Sequence, residues 1–467
     1  MYLTRRLLRY RLDDDHHLLI NTLSGALDII EDGVWKELQS LLATEPDMTV
    51  HLDPSVEARL RKRLYLFDTP EDEDRYFQLL FMAMGQRRES APVQFSICPT
   101  YACNLRCVYC FEGELITGPI KIMTREQVDG AFRAIEAIRE QFHPSTKDAH
   151  IILFGGEPLL RPTYLCVRRI LSRAAELGYG AEVVTNGVQV GLFMDLFHTN
   201  RAVIKNIQIT IDGPAGVHDR RRMYKNGAGT FNAITANVES LLESQLPVTV
   251  RINVDKNNIA HVPQLIQFME DQGWTLYPNF SCYIYPVTAY SDPEQANILH
   301  EDQLLYELQR MFRDGGNSLP SFALYGFKVL GHVASVMAPE SISLRMPPLY
   351  TYCEANGLRY FAFGPDGYIY PCGQSVGQKA MAIGRFHPKL ELWQEQCKEW
   401  ATRSVITIPQ CRECAIATLC GGGCAYGAYQ RTGSLLMPNC QNSSATLDTY
   451  VEHMKEHLIR RYSGIVE

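Results

Sequence analysis

No stretch of this chain approaches the roughly 18 consecutive apolar residues that a membrane span requires. No basic stripe of the kind that grips nucleic acid is present either, and the net charge is −7. The first residues, MYLTRRLLRYRLDDDHHLL, place charges where a signal peptide would need its apolar stretch. No internal repeat is evident. These absences exclude a membrane protein and a nucleic-acid binder, and they lead us to expect a cytoplasmic protein. The want of an export signal also removes a disulfide framework as the reason for fourteen cysteines. What remains is an ordinary globular composition, 46% hydrophobic over 467 residues, enough for two or three domains and a large core.

The cysteines are unevenly spread. Cys103, Cys107 and Cys110 sit in CNLRCVYC, and seven more lie between 353 and 440: Cys353, Cys372, Cys411, Cys414, Cys420, Cys424 and Cys440. Cys98, Cys166, Cys282 and Cys397 stand singly. Clustered thiols at ligand spacing in a reducing compartment point to metal.

Four regions are expected. Residues 1–85 read as a small winged-helix-like module: HHLLINTLSGALDII has two apolar stretches about the turn Ser24–Gly25, and DGVWKELQSLL and SVEARLRKRLYL have helical spacing. DTPEDEDR and GQRRES then make a polar passage. Residues 92–285 alternate strand and helix. The strand candidates are VQFSI, AHIILF, AEVVT, NIQITI, VTVRINV and NFSCYIY. This rhythm predicts an α/β fold with parallel strands and right-handed crossovers, and six units in place of eight predict an open, partial (β/α)6 barrel of the TIM type. Its chemistry would lie at the C-terminal ends of the strands. Residues 286–345 read as a bridging helical region. Residues 346–467 read as a cysteine-rich domain closed by a helix with Leu447, Val451, Met454, Leu458 and Tyr462 on one face.

Three thiolates from Cys103, Cys107 and Cys110 are one short of the four that a 4Fe–4S cube normally takes, which leaves one iron free for a substrate or cofactor. The competing reading is a zinc site completed by a distant His or Cys. The neighbouring strand ends weigh against zinc. FGGEPLL follows the second strand, where Gly155 and Gly156 allow close backbone approach and Glu157 supplies a carboxylate. TNG ends the third strand, IDGP the fourth, and Arg251 lies in the fifth. CNLRCVYC followed by GGEP resembles the radical S-adenosylmethionine (SAM) superfamily. The resemblance implies that SAM chelates the free iron through its amino and carboxylate groups. It further implies that reductive cleavage releases a 5′-deoxyadenosyl radical, which takes a hydrogen atom from the substrate. By the same resemblance Glu157 and the adjoining glycine backbone hold the SAM amino group, Tyr109 lies near the adenine, Asn186 near the ribose, and Arg251 at the carboxylate. Asp212 and the basic HDRRR (218–222) would complete the SAM site or position peptide carboxylates. A solvated loop with an Arg–Asp pair is the alternative.

The second set, Cys353-x13-Gly367-x4-Cys372 and Cys411-x2-Cys414-x5-Cys420-x3-Cys424-x15-Cys440, is similar to the SPASM extension of peptide-modifying radical SAM enzymes. The resemblance implies two auxiliary 4Fe–4S clusters, three clusters in all. Cys411, Cys414, Cys420 and Cys440 would hold the distal one, and Cys353, Cys372 and Cys424 the proximal one. The fourth proximal ligand is open. Cys282 could close it, or could be a small buried hydrophobe.

Two kinds of SPASM enzyme resemble this chain. Sulfatase-maturing enzymes, which make formylglycine, carry an Asp after the second SPASM cysteine, where this chain has Gly373. Maturases of ribosomally made peptides carry an N-terminal leader-recognition domain, which LLINTLSGALDIIEDGVW resembles. The expectation is therefore a maturase of a precursor peptide whose leader binds the N-terminal domain by strand addition. It would form a thioether or other crosslink, with an electron donor such as flavodoxin or ferredoxin. Anaerobic sulfatase maturation is the alternative, and a zinc- or cluster-bearing peptide scaffold and a three-cluster electron-transfer protein are the non-maturase readings.

Overall fold

The computed structural model describes residues 1–42, 52–89, 93–144, 149–288, 297–316, 320, 326–337 and 348–462. The N-terminal stretch comprises β1 (Tyr2–Leu3), β2 (Leu7–Arg11), β3 (His16–Asn21), β4 (Ala26–Glu31), α1 (Asp32–Ser40), α2 (Pro54–Lys62), β5 (Leu66–Phe67) and α3 (Pro70–Glu89). The expected hairpin is there, with Asn21 opposite Ala26 and Gly25 at φ +70°. It belongs to an antiparallel sheet of three strands, β2-β3-β4, and β1 pairs with β5. The stretch read as a polar passage is instead helix α3. Glu71, Asp72 and Glu73 in its first turn complement the helix N-terminus. Phe77, Leu80, Phe81 and Met84, spaced by threes and fours, pack with Tyr350, Val405 and Ile408 from the far end of the chain.

Six parallel strands follow in the predicted places: β6 (Val93–Ile97), β8 (Ala149–Leu153), β9 (Gly180–Thr185), β10 (Ile204–Thr210), β12 (Val248–Val254) and β13 (Phe280–Pro286). The hairpin partners β7 (Leu105–Cys107) and β11 (Arg222–Tyr224) stand apart from this sheet. Helices α4 (Arg125–Phe142), α5 (Tyr164–Leu177), α6 (Met194–Thr199), α7 (Ala215–Arg221), α8 (Phe231–Glu243) and α9 (Val262–Asp271) connect the strands. Alternation along the strands decides what faces where. Ile151, Val183, Ile207, Ile209, Val250, Ile252 and Ile284 enter the main apolar core. Gln208, Thr210, Arg251 and Asn253 line the inner cavity.

The sheet does not stop at its first strand. β14 (Tyr360–Phe363) pairs in parallel with β6, Tyr360 opposite Gln94 and Phe363 opposite Ile97. β15 (Tyr368–Tyr370), β16 (Gly384–Arg385) and β17 (Glu391–Leu392) extend it antiparallel to ten strands. The cysteine-rich region is thus hydrogen-bonded into the barrel sheet. The closing helix, Ser443–Tyr462, buries Leu447, Val451 and Leu458 and half-buries Met454 as its spacing predicts; the Tyr462 side chain lies outside the described ones. In the bridging region, helices Glu301–Asp314 and Lys328–Met337 are described. Among the described residues, no helix is long and apolar enough to cross a membrane.

Candidate active site

The loop leaving β6 carries the three clustered cysteines, and β7 inside it pairs with β11 so that Cys107 lies opposite Arg222. Cys103, Cys107 and Cys110 line one cavity of about 230 Å³ together with Gly155, Gly156, Glu157, Asn186, Arg222, Arg251 and Asn253. Burial pushes the Cys103 thiol up to about 12 and the Cys110 thiol up to about 11, so both stay protonated until a metal claims them. The donor set fits an iron–sulfur cluster with one open corner: three thiols converge from one loop and a roomy polar cavity adjoins them.

The glycine pair is required by space. At Gly156 a Cβ would lie 2.2 Å from the Tyr101 carbonyl oxygen and 2.4 Å from that of Ala102. Gly155 has φ +131°, and its Cβ would meet Cys98 Sγ at 2.3 Å. The backbone therefore ties directly to the thiol loop, with Gly156 N donating to Thr100 O and Glu157 N to Ala102 O.

Glu157 is buried, and its carboxylate already has protein donors. Oε1 accepts from Leu159 N (2.8 Å) and Thr185 Oγ1 (2.6 Å), and Oε2 from Asn186 N (2.6 Å). A carboxylate has about four lone-pair positions, so one remains for a ligand. Asn186 in turn donates through Nδ2 to Asn104 Oδ1 at 2.7 Å, bringing the third strand end against the thiol loop. Arg251 donates through Nε to Asn253 Oδ1 (2.8 Å), and its guanidinium lies 4.0 Å from the Tyr285 ring centroid. Among the described residues it has no ion-pair partner, so its guanidinium can meet the carboxylate of a ligand.

Tyr109 and Asp212 form the other wall. The Tyr109 hydroxyl donates to Asp212 Oδ2 and accepts from Arg222 Nη1 (2.7 Å) and Asn253 Nδ2 (3.1 Å). Asp212 Oδ1 accepts from Asn253 N (3.1 Å), and Oδ2 stands 3.5 Å from Arg221 Nε. The basic HDRRR stretch is therefore no solvated loop. His218, Arg221 and Arg222 are buried, and Arg221 is clamped by both oxygens of Asp255 at 2.8 and 2.9 Å. His218 accepts from Asp212 N and faces Thr230 Oγ1 through its other nitrogen. Burial, with Arg222 and Arg221 alongside, pulls its pKa down to about 3, so the ring is neutral.

Sequence reasoning did not single out Asn253, Asp255, Tyr285, Glu112 or Gln374. Alternation from Arg251 would have found Asn253. Glu112, two residues past Cys110, is a buried carboxyl lifted to about 8 by burial. Gln374 lines the cavity with Oε1 buried and unpartnered.

The seven later cysteines fall into two neighbourhoods. Burial and the nearby thiols of Cys420, Cys414 and Cys440 push the Cys411 thiol up to about 12. Cys372 lies among the charges of Cys424 and Cys353. Among the described residues, no three His, Cys, Asp or Glu side chains are gathered closely enough to hold a single ion. Cys282 belongs to the apolar core, and burial alone raises its thiol to about 12, so the small-hydrophobe reading holds for it. A second cavity, about 680 Å³, reaches from Tyr285–Thr288 to Cys353 and Cys440 and is lined by Glu301, Lys328 and Tyr352.

The Radical SAM superfamily model matches residues 97–269, from the end of β6 into α9. The chain carries a radical SAM domain. It is therefore an enzyme, and a radical SAM domain works with SAM and a 4Fe–4S cluster. Over 375 residues it is 21% identical to the cysteine-type anaerobic sulfatase-maturating enzyme of Clostridium novyi (strain NT), covering 76% of this chain and 92% of that protein. It is 25% identical over 195 residues to the mycofactocin maturase of Mycobacterium tuberculosis (strain ATCC 25618 / H37Rv), covering 41% of this chain and 45% of that one. The solved structure of native anSMEcpe with bound AdoMet superposes with a TM-score of 0.59 at 17% identity, covering 80% of this chain and all of that one. That likeness shows a shared fold over most of the chain.

Proposed function

We propose that this enzyme is a peptide maturase. In this reading Cys103, Cys107 and Cys110 hold the catalytic 4Fe–4S cluster, Gly155, Gly156 and Glu157 receive the SAM amino group, and Arg251 receives its carboxylate. When bound, SAM and the reduced cluster supply homolytic removal of a hydrogen atom from the substrate. The chain's own residues do the rest. Asn186 and Glu157 lock the second and third strand ends together. Tyr109, Asp212 and Arg222 close the opposite wall. The larger cavity, which shares Tyr285–Thr288 with the SAM cavity, receives the peptide and passes it toward the auxiliary thiols. Cys411, Cys414, Cys420 and Cys440 hold the distal auxiliary cluster, and Cys353, Cys372 and Cys424 the proximal one. Flavodoxin or ferredoxin supplies the electron.

The observation that favours a crosslinking maturase over a sulfatase maturase is Gly373. A side chain there would start 3.0 Å from the Tyr360 hydroxyl and 3.5 Å from the Phe154 ring, so the position has no base and little room for one. Gln374 beside it can hydrogen-bond a substrate but cannot take its proton. The N-terminal module, with its three-stranded sheet, supplies strand edges for a leader peptide. The sulfatase-maturase reading keeps one support of its own, the 92% coverage of the Clostridium novyi enzyme.

Anaerobic incubation of the reconstituted enzyme with SAM and dithionite separates the two. One arm receives a cysteine-containing sulfatase peptide. The other receives the product of a short open reading frame beside the gene. We expect 5′-deoxyadenosine in both arms, and a product lacking two hydrogens only in the second. Formylglycine in the first arm would replace the crosslinking reading with sulfatase maturation.

A further inference from the structure

Among the residues that neither the SAM site nor the thiol motifs use, Arg403 is the most unusual. It is fully buried. Among the described residues it has no carboxylate partner. Its guanidinium is held by carbonyl oxygens alone: Nε donates to Leu435 O (2.6 Å), and Nη2 to Gly422 O and Met437 O (both 3.0 Å). Among the described residues, Nη1 has no hydrogen-bond partner. An uncompensated buried cation is costly, so something at this place must be negative.

The geometry says what. Gly422 stands in the middle of Cys420-Gly-Gly-Gly-Cys424, between a distal ligand and a proximal one. A Cβ on Gly422 would lie 3.6 Å from Arg403 Nη1 and 3.7 Å from Cys411 Sγ, so the free end of the guanidinium and a distal thiol both lie beside Gly422. Cys424, Cys353, Cys411 and Cys420, two ligands from each neighbourhood, are the groups whose charges favour the protonated guanidinium, against the strong opposing effect of burial. The glycine run lets the backbone pass between: Gly421, Gly422 and Gly423 have φ of +66°, +82° and +75°.

We propose that Arg403 is the shared counter-charge of the two auxiliary clusters, a positioning residue that raises the reduction potential of both. This rests on the reading of seven cysteines as two cluster sites. Thiolate-ligated clusters are anionic and gain a further negative charge on reduction, so a buried cation between them favours the reduced form. Both sites lean on one charge: reduction of either draws on the same guanidinium. Arginine suits the place because its fork satisfies three carbonyls while staying ionised.

The test is a redox titration followed by electron paramagnetic resonance. It uses the full chain with Cys103, Cys107 and Cys110 changed to Ala, so that only auxiliary iron remains. Arg403→Met and Arg403→Lys are compared with the unaltered residue in that background. We expect Arg403→Met to lower the reduced-to-oxidised ratio of both clusters about tenfold at a fixed potential, about 59 mV for one electron. Arg403→Lys is expected to stay close to the parent. Unchanged potentials in Arg403→Met, with full auxiliary iron, would overturn the proposal, as would an equal shift in Arg403→Lys. If Arg403→Met does not retain iron, Arg403→Lys decides: retention there supports the charge, and loss in both variants assigns Arg403 to the carbonyl contacts instead. A background that binds zinc or no metal overturns the two-cluster reading itself and the proposal with it.

Discussion

Replacing Glu157 by glutamine is the most direct trial of the site. The substitution keeps shape and volume and changes only what one oxygen can do. With its oxygen at the Oε1 position, the new amide would keep the bonds from Leu159 N and Thr185 Oγ1. Its NH2 group would then face the Asn186 N–H, donor against donor. A hydrogen bond to a charged acceptor contributes about 1.5–3 kcal/mol, and burial leaves no water to replace it. The loss falls on the turn whose Asn186 side chain reaches Asn104 beside Cys103, not on the thiols themselves. If about 2 kcal/mol of that cost appears in ligand binding, the SAM dissociation constant rises about 30-fold. Equilibrium dialysis of SAM against reconstituted enzyme under anaerobic conditions measures it, with iron per chain as the control. Iron is expected to match the parent. SAM affinity within about twofold of the parent, with iron intact, would refute the claim that this carboxylate sets the SAM site.

Iron content offers a coarser check: the reconstituted chain should hold about 12 iron atoms, falling to about 8 with Cys103, Cys107 and Cys110 changed to Ala. Gly156→Ala should cost about 1–3 kcal/mol or more through overlap with two backbone carbonyls, seen as a lower melting temperature and poor retention of catalytic iron. His218 gives a pH signature. Its native pKa of about 3 lies below the unfolded value near 6.5, so the unfolded chain binds the extra proton. Stability from this group is complete above about pH 6.5 and declines as pH falls toward about 3, by about 2 kcal/mol between pH 6.5 and 5. His218→Gln should flatten that part of the melting-temperature profile, and an unchanged slope would show that His218 is not the group responsible.

The six parallel strands were legible because each is a short apolar run stopped by Gly, Pro or Asn, and the thiol loop because its spacing leaves few chemical options. The C-terminal helix announced itself by Leu447, Val451 and Leu458 at helical intervals. Other features depend on partners far away in sequence. YFAF at 360–363 is too short to assign alone, and it becomes a strand only because the edge of β6 is free to receive it. Helix α3 begins with a run of acids that looks like a linker, and its apolar face is satisfied by Tyr350 and Val405. The burial of Arg221, Arg222 and Arg403 is not legible in sequence because arginine is seldom buried, and here it is made possible by Asp255, by Tyr109 and by carbonyls. Gly373 stood out in the sequence, but its crowding by Tyr360 and Phe154 is visible only in three dimensions.

The pairing of β6 with β14 has a mechanical consequence. Gln94 N donates to Arg359 O and Cys98 N to Phe363 O, so the strand that leads into the Cys103–Cys110 loop is stitched to the strand that precedes Cys372. The two halves cannot part like jaws around a peptide without tearing a sheet. In the proposed reading, the spacing between the site where a hydrogen atom leaves and the auxiliary thiols is thereby held constant, as on a rigid ruler.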